Sequence, residues 1–375
     1  MSRLTYVVAA ILLTSAIPVL ADEDTGGWTY DGGIKYRSPD QRFQLNITNL
    51  VQVRFTAVDP DTGDSGQSFD VNRYRFSLDG RLFKYWEFRL ESDFATGSEA
   101  EPQGDSELLL DAYFEFTRKR MAQLWLGQGK VGFSRQELIY SDKLQFVERA
   151  IATERFAHGR DVGIAIYGNN EQETYTYSLG VYNGNGINRD VNENQNHLVV
   201  ARLIVAPLGA YELSEADPEW TRHPEPKLAI GVSAMTNNKG QIEDERINTG
   251  GLQFAFRVRG LTISAEFFTE SERTLSDPPG VETDTDGWYL QVGYLFPATE
   301  LGMFEVAARY SEVLLDVANE DETEIAAVVG YYMKGHRNKL QLEYRNLEFE
   351  ADILGIQVAP RIDTQEARLQ IQFIF

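Results

Sequence analysis

Arginine is the residue type whose spacing in this sequence most suggests chemistry. In the stretch 72–94, arginine and acidic side chains alternate with aromatic and aliphatic ones, as in Arg73-Tyr74-Arg75-Phe76. The planar guanidinium group can bind phosphate or carboxylate through two hydrogen bonds at once. Arginines on the polar side of this alternation recur along the chain: Arg54, Arg73, Arg75, Arg89, Arg202, Arg257, Arg259, Arg309, Arg345 and Arg368. Acidic residues of the same side accompany them: Glu87, Glu91, Asp93, Asp111, Glu115, Glu266, Glu305 and Glu343.

Two interpretations of this charged set remain open. The arginines could form a wall that attracts anions. They could instead pair with the acids across neighbouring strands and brace the wall, which the sequence favours for most of them. Arg73, Arg75 and Arg89 are expected to lie close together, so their field depends on whether the nearby acids neutralise them.

Residues for catalysis or metal binding are not grouped. The sequence contains no cysteine. Its histidines stand in distant segments without the spacing of metal ligands, at His158, His197, His223 and His336. The sequence has no G-x-S-x-G elbow and no phosphate-binding glycine loop. We therefore expect no catalytic residue, no metal and no cofactor, and we do not expect an enzyme.

The elements that would position these side chains are strands with one polar and one apolar side. Tyr74 and Phe76 share the side opposite Arg73 and Arg75. Sixteen such segments follow one another from residue 43 to residue 375, most of about ten residues, the length of a tilted transmembrane strand. A charge facing lipid at mid-bilayer costs about 2–4 kcal/mol, so the charged side must face inward. The pattern predicts an all-β fold, a single 16-stranded antiparallel transmembrane β-barrel.

Short and long connections alternate along the chain. Asp79-Gly80-Arg81 and Gly335-His336-Arg337-Asn338 have the composition of tight turns, whereas 59–68 and 312–322 are longer and acidic. A barrel with both chain ends in the periplasm has short turns on one side and long loops on the other. The connection 207–225 departs from this order because it is long where a short turn is due. Either this turn is elaborated or the strand count slips there.

The first residues have the features of a secretory signal peptide. Arg3 precedes an apolar run at 6–17, and this run is shorter than the ~20 residues of a membrane-spanning helix. We expect a signal peptide at 1–21, a periplasmic N-terminal leader at 22–42 and the barrel at 43–375.

The composition excludes several classes of protein. A net charge of −22 argues against nucleic-acid binding, which requires a basic surface. Without cysteine the fold cannot depend on disulfides. A soluble β-sandwich or propeller would also alternate, but it would bury some strands on both faces as continuous apolar runs. Nearly every segment here keeps a polar side, which favours the barrel.

The longest connection, 129–159, has a composition of its own. Its charges nearly cancel, and it contains the semi-apolar stretches 138–140 and 144–147, whereas other loops are acidic. We predict that it folds inward as a constriction loop; an ordinary extracellular loop is the alternative. Its cations would lie near the solute path: Lys130, Arg135, Lys143, Arg149 and Arg155.

Three sequence blocks occur in series. They are N-R-Y-R-F at 72–76 with L-E-S-D-F at 90–94, L-G-Q-G-K-V-G-F at 126–133, and E-R at 148–149 with G-R-D-V-G at 159–163. Their order and spacing resemble the phosphate-selective porin O/P family. The resemblance implies a 16-stranded trimeric porin in which arginines and a lysine cluster draw anions to a narrow zone. The sequence departs from the family at Val131-Gly132-Phe133, where a proline-containing step is usual, and it has few lumenal lysines and many lumenal acids.

The resulting hypothesis is a porin of the bacterial outer membrane. It would allow passive diffusion of small hydrophilic solutes, with an anion or phosphate preference as its narrower form. The expected partners are these solutes or inorganic anions, outer-membrane lipid with lipopolysaccharide, and further copies of the chain in a homotrimer. The alternative is a structural or adhesive outer-membrane barrel with a plugged lumen and no transport.

Overall fold

The computed structural model of the protein describes residues 26–95, 109–189, 192, 196–216, 224–239, 245–274, 282–315, 320–353 and 356–375. The predicted signal peptide lies outside these residues. The strands are β1 (Gly27–Tyr30), β2 (Ile34–Arg37), β3 (Gln44–Pro60), β4 (Gly66–Leu82), β5 (Trp86–Asp93), β6 (Leu109–Lys119), β7 (Ala122–Lys130), β8 (Arg160–Asn169), β9 (Tyr175–Tyr182), β10 (Leu198–Val205), β11 (Lys227–Lys239), β12 (Glu245–Val258), β13 (Leu261–Thr274), β14 (Glu282–Leu295), β15 (Met303–Leu315), β16 (Glu320–Tyr332), β17 (Asn338–Ile353) and β18 (Ile356–Ile374). The helices are α1 (Arg135–Leu138), α2 (Ile151–Phe156) and a 3-10 turn at Ser141–Lys143. None of the described helices has the length and apolar character needed to cross a membrane.

Sixteen of these strands form a closed antiparallel ring. Each strand from β3 to β17 pairs with the next one. The ring closes where β18 pairs with β3, from Ile374 opposite Leu50 to Thr364 opposite Pro60. Each of these sixteen described strands therefore has a hydrogen-bonded partner on both sides, as a membrane requires. The predicted 16-stranded barrel is confirmed, and the strand count does not slip at 207–225 because β10 and β11 pair directly.

The strands keep one apolar and one polar face. Val306, Val329, Leu342 and Leu369 are neighbours across four strands, and all four are exposed on the outside of the ring. Gln341, between two outward residues of β17, is fully buried on the other face. The polar residues therefore face inward, because the outer surface of the barrel meets lipid.

The two ends of the barrel differ. One end, here called the short-turn end, carries the brief turns at 83–85, 259–260 and 333–337 together with Phe375. The other, here called the long-loop end, carries the connection between β7 and β8. In bacterial outer-membrane barrels the short turns face the periplasm. The connection between β10 and β11 is on the short-turn end and is elaborated rather than short.

The described part of the predicted leader is a β-hairpin. Its second strand, β2, pairs with β3 at Ile34 opposite Ile47, just beyond the point where β18 ends. Asp31 in the hairpin turn accepts a hydrogen bond from Arg337 in the turn after β16. This hydrogen bond holds the pKa of the Asp31 carboxyl well below its usual range, and Lys35 contributes in the same direction. The hairpin thus continues the wall below the end of the last strand.

Two local expectations were wrong. Gly80, predicted in a tight turn, lies inside β4, and the chain reverses at Phe83 and Lys84, which have φ angles of 51° and 78°. A Cβ atom at position 80 would lie 2.0 Å from the carbonyl oxygen of Gln44, so the glycine permits close approach of two strands. Arg259, predicted to face the lumen, is an exposed turn residue with a φ of 50°.

A charge on the outer face tests the assignment of the two faces. We expect Leu342→Arg to destabilise folding into lipid by about 2–4 kcal/mol, because this side chain is exposed on the apolar outer face of the barrel. Met333→Arg, just beyond β16 and also exposed, is the matched control and should cost about 0–1 kcal/mol. Denaturant titration in vesicles measures both. Equal costs would contradict the assignment.

Candidate functional site

The segment 131–158 between β7 and β8 differs from an exposed loop in its burial. Ile139, Leu144 and Ala150 have no exposed surface. Hydrogen bonds link the segment to side chains of β3, β4, β13, β15, β16, β17 and β18. All of these side chains belong to the polar faces of their strands. The segment therefore contacts the wall on many sides of the ring.

Carboxylates of the wall bind the backbone of this segment. Glu266 of β13 accepts hydrogen bonds from the N–H groups of Arg135 (2.8 Å) and Gln136 (2.7 Å). Glu343 of β17 accepts one from the N–H group of Val147 (2.7 Å). Backbone N–H groups at a helix start or in irregular structure lack partners of their own, and each one buried and unpaired costs about 1–3 kcal/mol. These wall acids therefore stabilise the segment.

Glu148 anchors the other side of the segment. Its carboxylate accepts hydrogen bonds from Arg73 (2.6 Å), Asn72 (2.9 Å) and Arg54 (3.0 Å). Burial alone would raise the pKa of this carboxyl. The charge and hydrogen bonds of Arg73, the hydrogen bond from Asn72 and the charge of Arg54 instead lower the pKa to about 2. Glu148, which lies outside the membrane-spanning strands, is therefore ionised at neutral pH and holds the segment to β3 and β4.

The apolar side chains of the segment fit small residues of the wall. Phe146 is buried against Ala307 and Ala326, which occupy polar-face positions of β15 and β16. A Cβ atom at Gly293 would lie 2.0 Å from the side-chain nitrogen of Gln145. Small residues at these wall positions leave room for the segment, and larger ones would displace it.

Most of the predicted site cations have an acidic partner. In the wall the pairs are Arg54–Asp70 (2.8 Å), Arg73–Glu148 (2.6 Å), Arg75–Asp93 (2.9 Å), Arg89–Glu91 (2.5 Å), Arg309–Glu324 (2.6 Å) and Arg345–Glu366 (2.7 Å). Within or from the segment they are Lys130–Glu137 (3.7 Å), Arg149–Glu137 (2.9 Å) and Arg155–Glu270 (3.0 Å). Opposite charges this close largely cancel each other's field at a distance. These cations therefore add little to the net field in the lumen.

Three of the predicted arginines have neutral acceptors instead. Arg202 donates to the side-chain oxygen of Gln253 (3.0 Å). Arg257 and Arg135 both donate to the carbonyl oxygen of Ser214, at 2.9 and 3.1 Å. Among the described residues, none of the three forms an ion pair with a carboxylate. No direct ion pair therefore compensates their positive charge, although the Glu266 carboxylate acts on Arg202 at longer range.

Two lysines extend this group. Lys143 of the segment is half-buried, and no described carboxylate forms an ion pair with it. Lys339 of β17 is buried and donates to the carbonyl oxygen of Leu144 (2.9 Å). The cations without a direct ion pair thus include residues of the wall and of the segment, although carboxylates such as Glu305 and Glu215 act on Lys339 at longer range.

A cavity lies at each end of the barrel. The cavity at the short-turn end has a volume of about 300 Å³ and is lined by charged residues that include Asp79, Arg81 and Glu87. The cavity at the long-loop end has a volume of about 260 Å³, and Arg155 and Phe156 are among its lining residues. The described residues contain no group of three or more histidine and acidic side chains that could hold a metal ion.

Some residues of the site were not singled out from the sequence. Glu148 was noted only as a loop charge and as part of a sequence block that resembles the family, without a role of its own. Glu215 and Tyr211 lie in the connection 207–225, which was treated only as a problem of strand counting. Its unexpected length was the available signal. Lys339 is not among the candidate cations taken from the sequence.

Comparison with known proteins identifies relatives of this arrangement. Residues 43–375 match the family described as "Phosphate-selective porin O and P". An uncharacterized protein of Aquifex aeolicus (strain VF5) is 24% identical in an alignment of length 255 that covers 61% of this chain. The chain spans 60% of that relative's length.

Several solved structures share the fold. The anion-selective porin from Comamonas acidovorans has a TM-score of 0.63 at 13% identity, over 89% of this chain and 100% of that one. The outer membrane channel DcaP of Acinetobacter baumannii has a TM-score of 0.61 at 12% identity, over 91% and 99%. The trimer form of OmpT of Vibrio cholerae has a TM-score of 0.58 at 10% identity, over 89% and 99%. The family match covers the whole barrel, and the closed 16-stranded fold agrees with it: the chain is an outer-membrane β-barrel protein that belongs to the phosphate-selective porin O and P family.

Proposed function

We propose that this protein is a porin, not an enzyme, through which small hydrophilic solutes diffuse passively, and that it prefers inorganic anions. The observation that carries the preference is the group of Arg135, Arg202 and Arg257, whose hydrogen-bond acceptors are neutral. Phosphate is one candidate anion, because guanidinium groups bind it well.

The physical argument concerns fixed charge near a narrow zone. The acidic partners of arginines such as Arg75 and Arg309 leave little net field, whereas a guanidinium bound by carbonyl oxygens keeps its full charge. Low-dielectric walls focus the field of such charges and raise the local concentration of anions. The net charge of −22 counts for less, since many of the acids lie in the long loops.

The relatives also support a preference for anions. The matched family is described as phosphate-selective, and the Comamonas acidovorans protein is described as an anion-selective porin. The OmpT structure is a trimer form, and we infer a homotrimer here as well. Lipopolysaccharide is the proposed outer-leaflet neighbour of the acidic loops.

The predicted connection 129–159 is the proposed constriction loop, and it contains the buried segment 131–158 together with the end of β7. Sixteen strands enclose a channel too wide to discriminate between small ions. Contacts of the segment with the polar faces of β3, β13 and β17 support a position across the lumen.

A plugged structural or adhesive barrel is the second candidate. The extensive contacts between the segment 131–158 and the wall favour it, because they fill part of the lumen. Current through the purified barrel in a planar bilayer distinguishes the two candidates, since a plugged barrel passes no ions.

Selectivity can be tested by removing one positive charge that has no direct ion pair. We expect a wild-type reversal potential that indicates anion preference, and we expect Arg257→Gln to lower the anion-to-cation permeability ratio about two- to tenfold. The matched control removes an ion pair, Arg345→Gln with Glu366→Gln, and should leave the ratio unchanged because no net charge is lost. A clearly cation-selective wild type would contradict the proposal.

The constriction can be tested by shortening the loop. Replacing residues 140–147 by a short Gly-Ser linker should raise single-channel conductance about twofold or more, because a 16-stranded barrel is otherwise wide. Shortening the exposed connection at 61–65 is the control and should have no effect. Heat-modifiable gel mobility verifies that both variants fold. Equal conductance of the two variants would show that the loop constricts nothing.

A further inference from the structure

A second segment enters the ring from the short-turn end. After β10, residues 207–213 are partly exposed, and then Ser214, Glu215 and Ala216 are buried. Ala216 packs with Leu295 and Tyr332, the ends of β14 and β16. Residues 206–216, here called the turn segment, therefore reach from β10 to strands several positions further round the ring.

The turn segment binds the proposed constriction loop through one carboxylate. Glu215 accepts a hydrogen bond from the side-chain nitrogen of Gln136 (2.6 Å) and another from the N–H group of Gln145 (2.8 Å). The side-chain oxygen of Gln136 in turn accepts from the N–H group of Ala150 (3.1 Å). Both Gln136 and Glu215 are buried, so this carboxylate joins two points of the loop directly and a third one, Ala150, through Gln136.

The turn segment also holds two of the arginines that have no direct ion pair. The ring centre of Tyr211 lies 5.0 Å from the guanidinium carbon of Arg135 and 4.5 Å from that of Arg257. The carbonyl oxygen of Ser214 accepts hydrogen bonds from both arginines. An aromatic face and a carbonyl stabilise cations without neutralising them. Two like charges are thus held close together on the short-turn side of the loop.

From these contacts we propose that the turn segment narrows the channel together with the constriction loop, and that Glu215 positions the loop. We call the region where these two segments meet the narrow zone. This inference rests on the proposed channel function. The narrow zone is then formed by one segment from each end of the barrel. Glu215 sets how often the loop detaches, and Tyr211 sets the spacing of the two arginines.

The test is single-channel recording of Glu215→Gln with Glu212→Gln as the matched control. Each change removes one negative charge, and the two positions are three residues apart. The Glu212 side chain is exposed, however, and only its backbone carbonyl accepts a hydrogen bond from Arg135. An amide at position 215 cannot accept from both partners as a carboxylate does. We expect sojourns in a high-conductance level to become about tenfold more frequent in Glu215→Gln, as loss of a charged hydrogen bond implies. Glu212→Gln should resemble wild type.

Rescue separates positioning from general destabilisation. Combining Glu215→Gln with Gln136→Glu exchanges the donor and the acceptor, and all three hydrogen bonds can form again. The combined variant should return to wild-type conductance. Failure of this rescue, or a Glu215→Gln channel that matches Glu212→Gln, would overturn the inference.

Two further outcomes are distinguishable. If Glu215→Gln does not fold by heat-modifiable mobility, Tyr211→Ala carries the test, since the separated arginines should then show a reduced anion preference; an unchanged reversal potential would overturn the inference. A wild-type barrel that passes no ions would overturn the channel proposal and this inference together. If the wild type conducts and the variants Glu215→Gln and Tyr211→Ala behave like the wild type, only this inference is overturned.

Discussion

The barrel is governed by one constraint, which is that buried backbone N–H and C=O groups must have hydrogen-bond partners. The strands meet it by closing the ring between β18 and β3. The irregular segment 131–158 cannot meet it with its own backbone, because its helices have only four and six residues. Carboxylates of the polar faces supply the missing acceptors, with Glu266 and Glu343 binding N–H groups directly. Side chains of the wall thus provide the hydrogen-bond acceptors that the backbone of a neighbouring strand would otherwise provide.

This constraint shapes the electrostatics of the lumen. A carboxylate that binds backbone N–H groups is less available to an arginine, and the arginines near Glu266 and Glu215 are those bound by carbonyl, amide and aromatic groups. Elsewhere on the wall, Arg75 and Arg309 have close acidic partners. The unequal distribution of acids, rather than the total number of arginines, therefore determines where positive charge remains.

Much of the fold could be predicted because alternation encodes it. Opposite faces for Leu342 and Gln341 follow from a period of two, and sixteen repeats of this pattern define the ring. The contacts of irregular segments could not be predicted, because no period reports which wall residue meets a loop. Ala307 reads as an ordinary small residue until Phe146 is seen against it. Glu215 reads as one acid of an acidic chain, and Gly80 as a turn rather than a close strand contact.

Hydrogen–deuterium exchange of the barrel in lipid tests the central claim most directly, because exchange reports whether an amide is hydrogen-bonded and closed to water. We expect the amides of residues 135, 136, 145 and 147 to exchange as slowly as those of the strands, and much more slowly than those of the exposed connection 61–65. Exchange of both segments at the same fast rate would contradict it, since the wall carboxylates would then not hold the loop.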